Sequence, residues 1–377
     1  MSEKDRITCT HLVSYQIWDS LLGLSVNMLR VIDLFCGAGG FSLGFENHRF
    51  GGGFRTVLAL DNDEAAVGTY RKNFESPVTH RRIEDWLKGK PRVPRADVVI
   101  GGPPCQGYSK LNRNRKGDDR RSLWQEFLQV VEVSGAPIFI MENVTPILRS
   151  AEFQLIIVAS HHLGFNVEAY QLNSADYGVP QKRVRAFIVG WRPGRVYAPT
   201  KPPPTHAEPG KGDGLPEWLT VGDAILDLPK PEEFDVRHCA PPLDLHFARK
   251  VAESSLSRYR HIPEGGNRFD LIRHAPHLCP RCWKRKPKGS TDVFGRLKRD
   301  EPSLTIRTEF FKPEKGRYLH PIQHRALTHR EAARLMGFPD DFVFHGAKLE
   351  IARQIGNAVP PPLAGAVSRM ARRMIRG

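Results

Sequence analysis

Of six cysteines in the 377-residue chain, one has neighbours that suit chemistry. Cys105 lies within Gly101-Gly102-Pro103-Pro104-Cys105-Gln106-Gly107-Tyr108-Ser109, directly after an apolar run from Ala96 to Ile100. That run reads as a strand, so the thiol falls at a strand-to-loop junction with two prolines restricting the backbone before it. Two readings are open: a reachable nucleophile, or a tight turn around a buried free cysteine. Glu142 closes a second apolar run, Ile138 to Met141, either as a structural cap or as an acid whose pKa its surroundings raise. Gln181-Lys182-Arg183-Val184-Arg185 leads into a third run, Ala186 to Gly190. Strand alternation sends Arg183 and Arg185 to one face, suited to holding an anion or a carbonyl, unless that edge is merely solvated.

A fourth group binds rather than reacts. Val31 to Phe35 reads as a strand followed by Cys36-Gly37-Ala38-Gly39-Gly40 and a helical Phe41 to Glu46. Glycines let a ligand approach the backbone, and a helix N-terminus offers free N–H groups. A further strand, Thr56 to Leu60, ends in Asp61, 24 residues beyond Gly37, placed to accept hydrogen bonds from ribose hydroxyls. A dinucleotide fingerprint wants glycine at position 42, which is serine. The turn therefore suits an adenosine cofactor without a pyrophosphate.

The elements that must position these groups follow from periodicity. Strands are expected at Asp97–Ile100, Pro137–Met141, Val167–Gln171 and Ala186–Gly190, with helices between them at Ser122–Val133 and Ala151–Leu163. Such alternation predicts an α/β fold with a parallel, doubly wound sheet, whose ligands bind at the carboxyl ends of the strands. The Gly-rich turn, Asp61, Cys105 and Glu142 all fall on that edge. The chain is 40% hydrophobic, enough for a large core, and carries 56 Lys+Arg against 41 Asp+Glu. A formal charge of +15 favours nucleic acid as a partner. No apolar run approaches a membrane span, no secretion signal opens the chain and the cysteines form no disulfide framework, so a cytoplasmic protein is expected.

Together these stretches resemble the DNA cytosine-5 methyltransferases of bacterial restriction-modification systems. The resemblance covers residues 29–377 in six motifs: Asp33 to Phe45, Pro103-Pro104-Cys105-Gln106, Glu142-Asn143-Val144, Gln181 to Arg185, Arg330 to Asp341, and Gln354-Ile355-Gly356-Asn357. It implies a Rossmann-like S-adenosylmethionine-dependent methyltransferase domain with a smaller, irregular target-recognition domain. It also implies that Cys105 attacks C6 of a flipped cytosine in duplex DNA, that Glu142 serves N3, that Arg185 holds O2 and orients Glu142, and that Arg183 supports the loop. Cofactor contacts would come from Phe35, Gly37, Gly39, Asp61, Asn62, Ile83, Pro103 and Asn357. Pro104, Gln106, Ser109, Arg113 and Arg115 would meet the target base and DNA. Where the family tends to have Asp-Ile for the adenine amino group, this chain has Arg82-Ile83, and Glu84 could supply the polar contact.

The implied organisation is an extension over 1–27, a catalytic and cofactor-binding domain over 28–195, a target-recognition domain over 196–324, and a return to the first domain over 325–377. Asn112 to Arg121 reads as a mobile basic loop closing over DNA, with Gly117 as a hinge, and Pro193 to Pro216 as a linker. Arg281 to Arg299 holds eight Lys/Arg against Asp292 alone, a phosphate-positioning stretch. His274, His277, Cys279 and Cys282 fall within nine residues, too close together for the usual two-segment zinc site, so no metal is expected. A partner restriction endonuclease acting on the same site and a monomer on DNA complete the expectation. The competing readings are a tRNA cytosine-5 methyltransferase and a catalytically silent DNA-binding module.

Overall fold

The computed structural model describes residues 28–104, 123–212, 214–231, 240–285 and 291–377. Seven strands form the main sheet: β1 (Leu29–Leu34), β2 (Phe54–Asp61), β3 (Val78–His80), β4 (Val98–Gly101), β5 (Ile138–Val144), β6 (Asn166–Asn173) and β7 (Val184–Trp191). Their order is β3-β2-β1-β4-β5-β7-β6. β1 to β5 pair in parallel, and the apolar runs that mark β1, β2, β4 and β5 in the sequence are largely buried, as central parallel strands require.

One strand departs from the expected parallel arrangement. β7 runs antiparallel to both β5 and β6. A period of two looks the same in either direction, so the sequence pattern could not reveal this. The consequence is large. The start of β7 lies beside the end of β5, with Val144 and Arg185 in register. Had β7 run parallel, Arg185 would stand at the far edge, roughly 20 Å away over six residues at ~3.3 Å each.

Helices cover both faces. α1 (Gly40–Glu46) packs on one face with α8 (Pro361–Arg376), sharing a core of Phe41, Phe45, Val31, Ile140, Leu363, Val367 and Met370. Leu363, Val367, Met370 and Met374 recur at helical spacing, which gives α8 its single buried stripe. The other face carries α3 (Ile83–Lys88), α4 (Leu123–Ser134) and α5 (Ala151–His162) around Ile32, Leu60, Val99, Phe127 and Phe139. α2 (Glu64–Asn73) follows β2, and the Asp63 side chain caps it by accepting from the Ala65 and Ala66 N–H groups. Asp63 also pairs with Arg353 at 2.6 Å, tying this turn to α7 (Lys348–Asn357).

Between β7 and the C-terminal helices the described elements are short: helices Val221–Ile225, Glu253–Tyr259, Arg268–His274 and Arg281–Lys284, and two-stranded pairs. Tyr259, Ile262, Leu271, Phe294 and Leu319 form a small core there. The expected linker is better anchored than its composition suggests. Tyr170 and Tyr177 donate hydroxyl hydrogen bonds to the carbonyls of Pro199 and Pro202. The basic stretch also divides. Arg296 is buried and donates to the carbonyls of Tyr259, Ile262, His320 and Gln323, so it knits the fold rather than positioning phosphates. α6 (His329–Leu335) then joins this region to the sheet through a core that reaches Ala38 and Leu43 of the Gly-rich segment.

Candidate active site

The turn after β1 is the first component. Phe35 is not in the strand, as the pattern suggested, but in the turn, with a φ of 59°. A left-handed phenylalanine is strained, a conformation that persists where a site needs it. Gly37 follows at φ 54°, with nothing within 4 Å of where a Cβ would be, so a cradle stays open over the backbone. Its N–H donates to Asp61 Oδ2 at 2.8 Å, and Asp61 Oδ1 accepts from the Asp63 N–H at 2.8 Å. Burial raises the Asp61 pKa, partly offset by these backbone hydrogen bonds. Gly39 has a φ of 90° and no room for a side chain, because a Cβ would meet Phe74 at 2.4 Å. Asn62 is exposed just beyond Asp61, and Asn357 is exposed at the end of α7. Ile83 is buried among Leu58, Leu60 and Trp86, while Glu84 is bound to Arg82 at 2.7 Å. An open glycine cradle beside a half-buried carboxylate fits the adenosine portion of S-adenosylmethionine.

The second component is a carboxylate–guanidinium pair. Glu142 and Asn143 belong to β5 itself, which runs to Val144 because β7 pairs with it there. Glu142 Oε1 lies 3.1 Å from Arg185 Nε, and both side chains are about nine-tenths buried, at 13% and 14% exposure. Burial raises the Glu142 pKa; the charges of Arg185 and then Arg183 only partly oppose it. Gly102 stands against Glu142, whose Oε2 would be 3.4 Å from a Cβ there. The Asn143 amide donates to the Pro103 carbonyl at 3.1 Å, fixing the segment that leads through Pro104 to Cys105. Sequence reasoning gave Asn143 no such task; its place next to Glu142 at a strand tip was the available signal.

Arg183 and Arg185 do separate work. Arg183 is buried and donates to the carbonyls of Ile306, Gly356 and Ala358 at 3.1–3.2 Å. Gly356 is needed at that crossing, since a Cβ would stand 2.4 Å from Thr308 N. Gln181 adds a second clasp, donating to the Leu335 carbonyl and accepting from the Ile306 N–H. Arg183 thus holds the segment beside Asn357 to the segment carrying Arg185, while of the two arginines it is Arg185 that contacts Glu142. Cys105, Gln106, Ser109, Arg113 and Arg115 lie outside the described residues, as does the basic loop.

The family of C-5 cytosine-specific DNA methylases matches residues 29–373. The chain is 34% identical to the type II methyltransferase M.NgoFVII of Neisseria gonorrhoeae, over 91% of this chain and 86% of that one. It is 35% identical to the type II methyltransferase M1.HphI of Haemophilus parahaemolyticus, over 92% and 87%. Among solved structures, a candidate DNA modification methyltransferase encoded within an E. coli prophage superposes with a TM-score of 0.66 at 25% identity, covering 93% of this chain and all of that one. A DNMT2 from Spodoptera frugiperda shares the fold at 18% identity and a TM-score of 0.59. With a match running through nearly the whole sequence, the chain belongs to the C-5 cytosine-specific DNA methylase family and is a DNA cytosine methyltransferase of restriction-modification type.

Proposed function

We propose that the protein methylates C5 of a cytosine extruded from a specific duplex DNA site, through a covalent bond between Cys105 and C6. The observation that carries this reading is the placement of Glu142. It is a buried carboxyl of raised pKa, paired side-on with Arg185 and set against Gly102, three residues before the thiol.

S-adenosylmethionine, held by Phe35, Gly37, Gly39, Asp61, Asn62, Ile83, Pro103 and Asn357, supplies a sulfonium-activated methyl group. The chain's own residues make C5 reactive enough to take it. Cys105 as thiolate adds to C6, and the ring electron pair moves toward N3 and enriches C5. Glu142, carrying a proton, donates at N3 and so removes the negative charge that the addition would otherwise leave on the ring. Arg185 donates to O2 and keeps the Glu142 carboxyl aimed. After C5 has gained the methyl group its proton leaves to water, the Cys105–C6 bond breaks to free the thiolate, and N3 returns its proton to Glu142 as the aromatic ring is restored. Extruding the base costs about a few kcal/mol, which contacts from Pro104, Gln106, Ser109, Arg113 and Arg115 to the base and phosphates would offset. The protein would act as a monomer on DNA, protecting sites that a partner endonuclease cuts.

The test is transfer of labelled methyl groups into unmethylated bacterial DNA, followed by bisulfite sequencing to read the site. Cys105→Ala should abolish transfer while leaving DNA binding in place. Duplex containing 5-fluorocytosine at the mapped site should trap a covalent complex. An active enzyme that never forms that complex would sink the thiol mechanism.

A further inference from the structure

The sheet edge opposite the catalytic one carries its own concentration of positive charge. Arg30 and Arg55 are register partners on β1 and β2, both exposed, near the strands' N-terminal ends. Like charges directly opposite on neighbouring strands destabilise a sheet, so their pairing calls for a reason. The connection into β4 adds Lys88, Lys90, Arg92 and Arg95, all exposed. Arg30, Arg92 and Arg95 line a hollow of about 490 Å³ together with Val93 and Pro94. Gly135 accommodates Arg95, since a Cβ there would stand 2.1 Å from the guanidinium.

Among the described residues, acids pair with two of these six cations. Asp97 takes the Arg30 N–H at 2.6 Å and lies 3.9 Å from its guanidinium, and Asp85 pairs with Lys88 at 3.2 Å. The side chains of Arg55, Lys90, Arg92 and Arg95 make no hydrogen bond or ion pair among the described residues. The six residues of β1 separate this edge from the Gly37 turn, a distance of roughly 20 Å at ~3.3 Å per residue. A duplex seated where Glu142 meets Arg185 lies on the other side of the sheet.

We propose that this edge is a second docking surface for the phosphate backbone of duplex DNA, holding a segment other than the one being methylated. Guanidinium groups match phosphate geometry, and the substrate itself brings further duplex near the enzyme at high local concentration. Among the described residues no aromatic side chain lines the hollow, so contact there is with backbone rather than bases and is independent of sequence. The inference rests on duplex DNA being the substrate of the catalytic edge.

Sedimentation of the full chain at low salt with duplexes of about 20 base pairs tests it, because such short pieces cannot wrap from one edge to the other. The wild type should take up two duplexes per protein, and Arg92→Ala/Arg95→Ala should take up one. The salt slope of the second binding event is about −0.9 per phosphate neutralised, and Arg55→Ala/Lys90→Ala, which leaves the hollow intact, should flatten it by about 2. Methyl transfer into unmethylated bacterial DNA, read on the same samples, should stay within about twofold of wild type. A wild type that binds one duplex, or variants that still bind two with an unchanged slope, overturns the proposal. A wild type that binds two duplexes but transfers no methyl group would instead overturn the catalytic reading and leave this one standing.

Discussion

Two buried glutamates, one at the sheet edge and one in the C-terminal segment, are held in opposite ways. Glu331 of α6 is fully buried, yet its pKa is lowered. Burial pushes it up, but Arg325 grips it with two hydrogen bonds at 2.9 and 2.6 Å, and the Thr328 N–H donates at 2.8 Å. Both oxygens that burial strips of water have donors. Among the described residues, Glu142 has the Arg185 guanidinium 3.1 Å from one oxygen, and its pKa stays raised. A buried carboxyl surrounded by donors is held toward its charged form; one whose burial outweighs its partners is held toward its protonated form. Glu331 closes a capping box on α6 and so serves the fold. Glu142 stands at the carboxyl edge of the sheet, where ligands of doubly wound folds bind.

The sharpest way to break this contrast is to exchange what each carboxyl lacks. Glu142→Gln keeps the shape and removes the transferable proton, so kcat/KM for methyl transfer should fall by about 10²- to 10⁴-fold, with the thermal midpoint nearly unchanged. Arg325→Met does the reverse. It strands a buried charge and should cost about 3–5 kcal/mol in denaturant unfolding, a loss out of proportion to any direct effect on transfer. If Arg325→Met unfolds no more easily than wild type, the distinction between the two glutamates fails.

Titration sharpens it further. His320 lies 3.8 Å from Glu331, and burial, against the pull of that carboxylate, lowers its pKa to about 4. The unfolded chain therefore binds this proton first as pH falls, and stability is lost between about pH 6.5 and 4, by about 3 kcal/mol. Below that the protonation of Glu331, whose folded pKa is depressed, removes more. His320→Asn should flatten the acid limb, because an amide oxygen can still accept from the Ile322 and Gln323 N–H groups as Nδ1 does. An acid limb of the same steepness in that variant would assign it elsewhere.

Asp33, under the Gly-rich turn, extends the series with the opposite sign. It is buried beside Ser42, whose hydroxyl donates to Oδ2 at 2.7 Å, and Oδ1 has no partner among the described residues. Burial, with Asp61 adding to it against the Ser42 hydrogen bond, raises its pKa to about 7. A raised carboxyl stabilises the fold while protonated, and that stability is lost as pH rises through 7. Between pH 6 and 8 the loss should be about 1.4 kcal/mol, and Asp33→Asn should remove the slope. Thermal midpoints of both proteins across that range would check this smallest effect.

The strands were legible because buried parallel strands must be apolar runs, and Val31–Leu34, Val98–Ile100 and Ile138–Met141 are such runs. The helices α4 and α5 stand where alternation with those strands placed them, at Leu123–Ser134 and Ala151–His162. The site was legible as residue types at strand ends: Asp61, Glu142 and Arg185 all lie at the tips of β2, β5 and β7. The region from 196 to 324 was not, because its elements are two to seven residues long and its polar contacts are between distant segments. Arg296 illustrates this: a positive charge in a basic run reads as surface, yet four carbonyls from other segments enclose it.

What the sequence determined by itself was chemistry and period: a thiol behind two prolines, a carboxyl ending an apolar run, two arginines in alternation, a glycine turn followed 24 residues later by an acid. Tertiary structure decided which of these meet. Alternation is identical in a strand and in its reverse, so the sequence carries no sign of the direction of β7. Only the antiparallel pairing of β5 with β7 sets Arg185 against Glu142. Alternation also assigned Arg183 and Arg185 one task, whereas packing gave them two. Arg183 is enclosed by the carbonyls of Ile306, Gly356 and Ala358, segments more than a hundred residues away that only folding brings within reach.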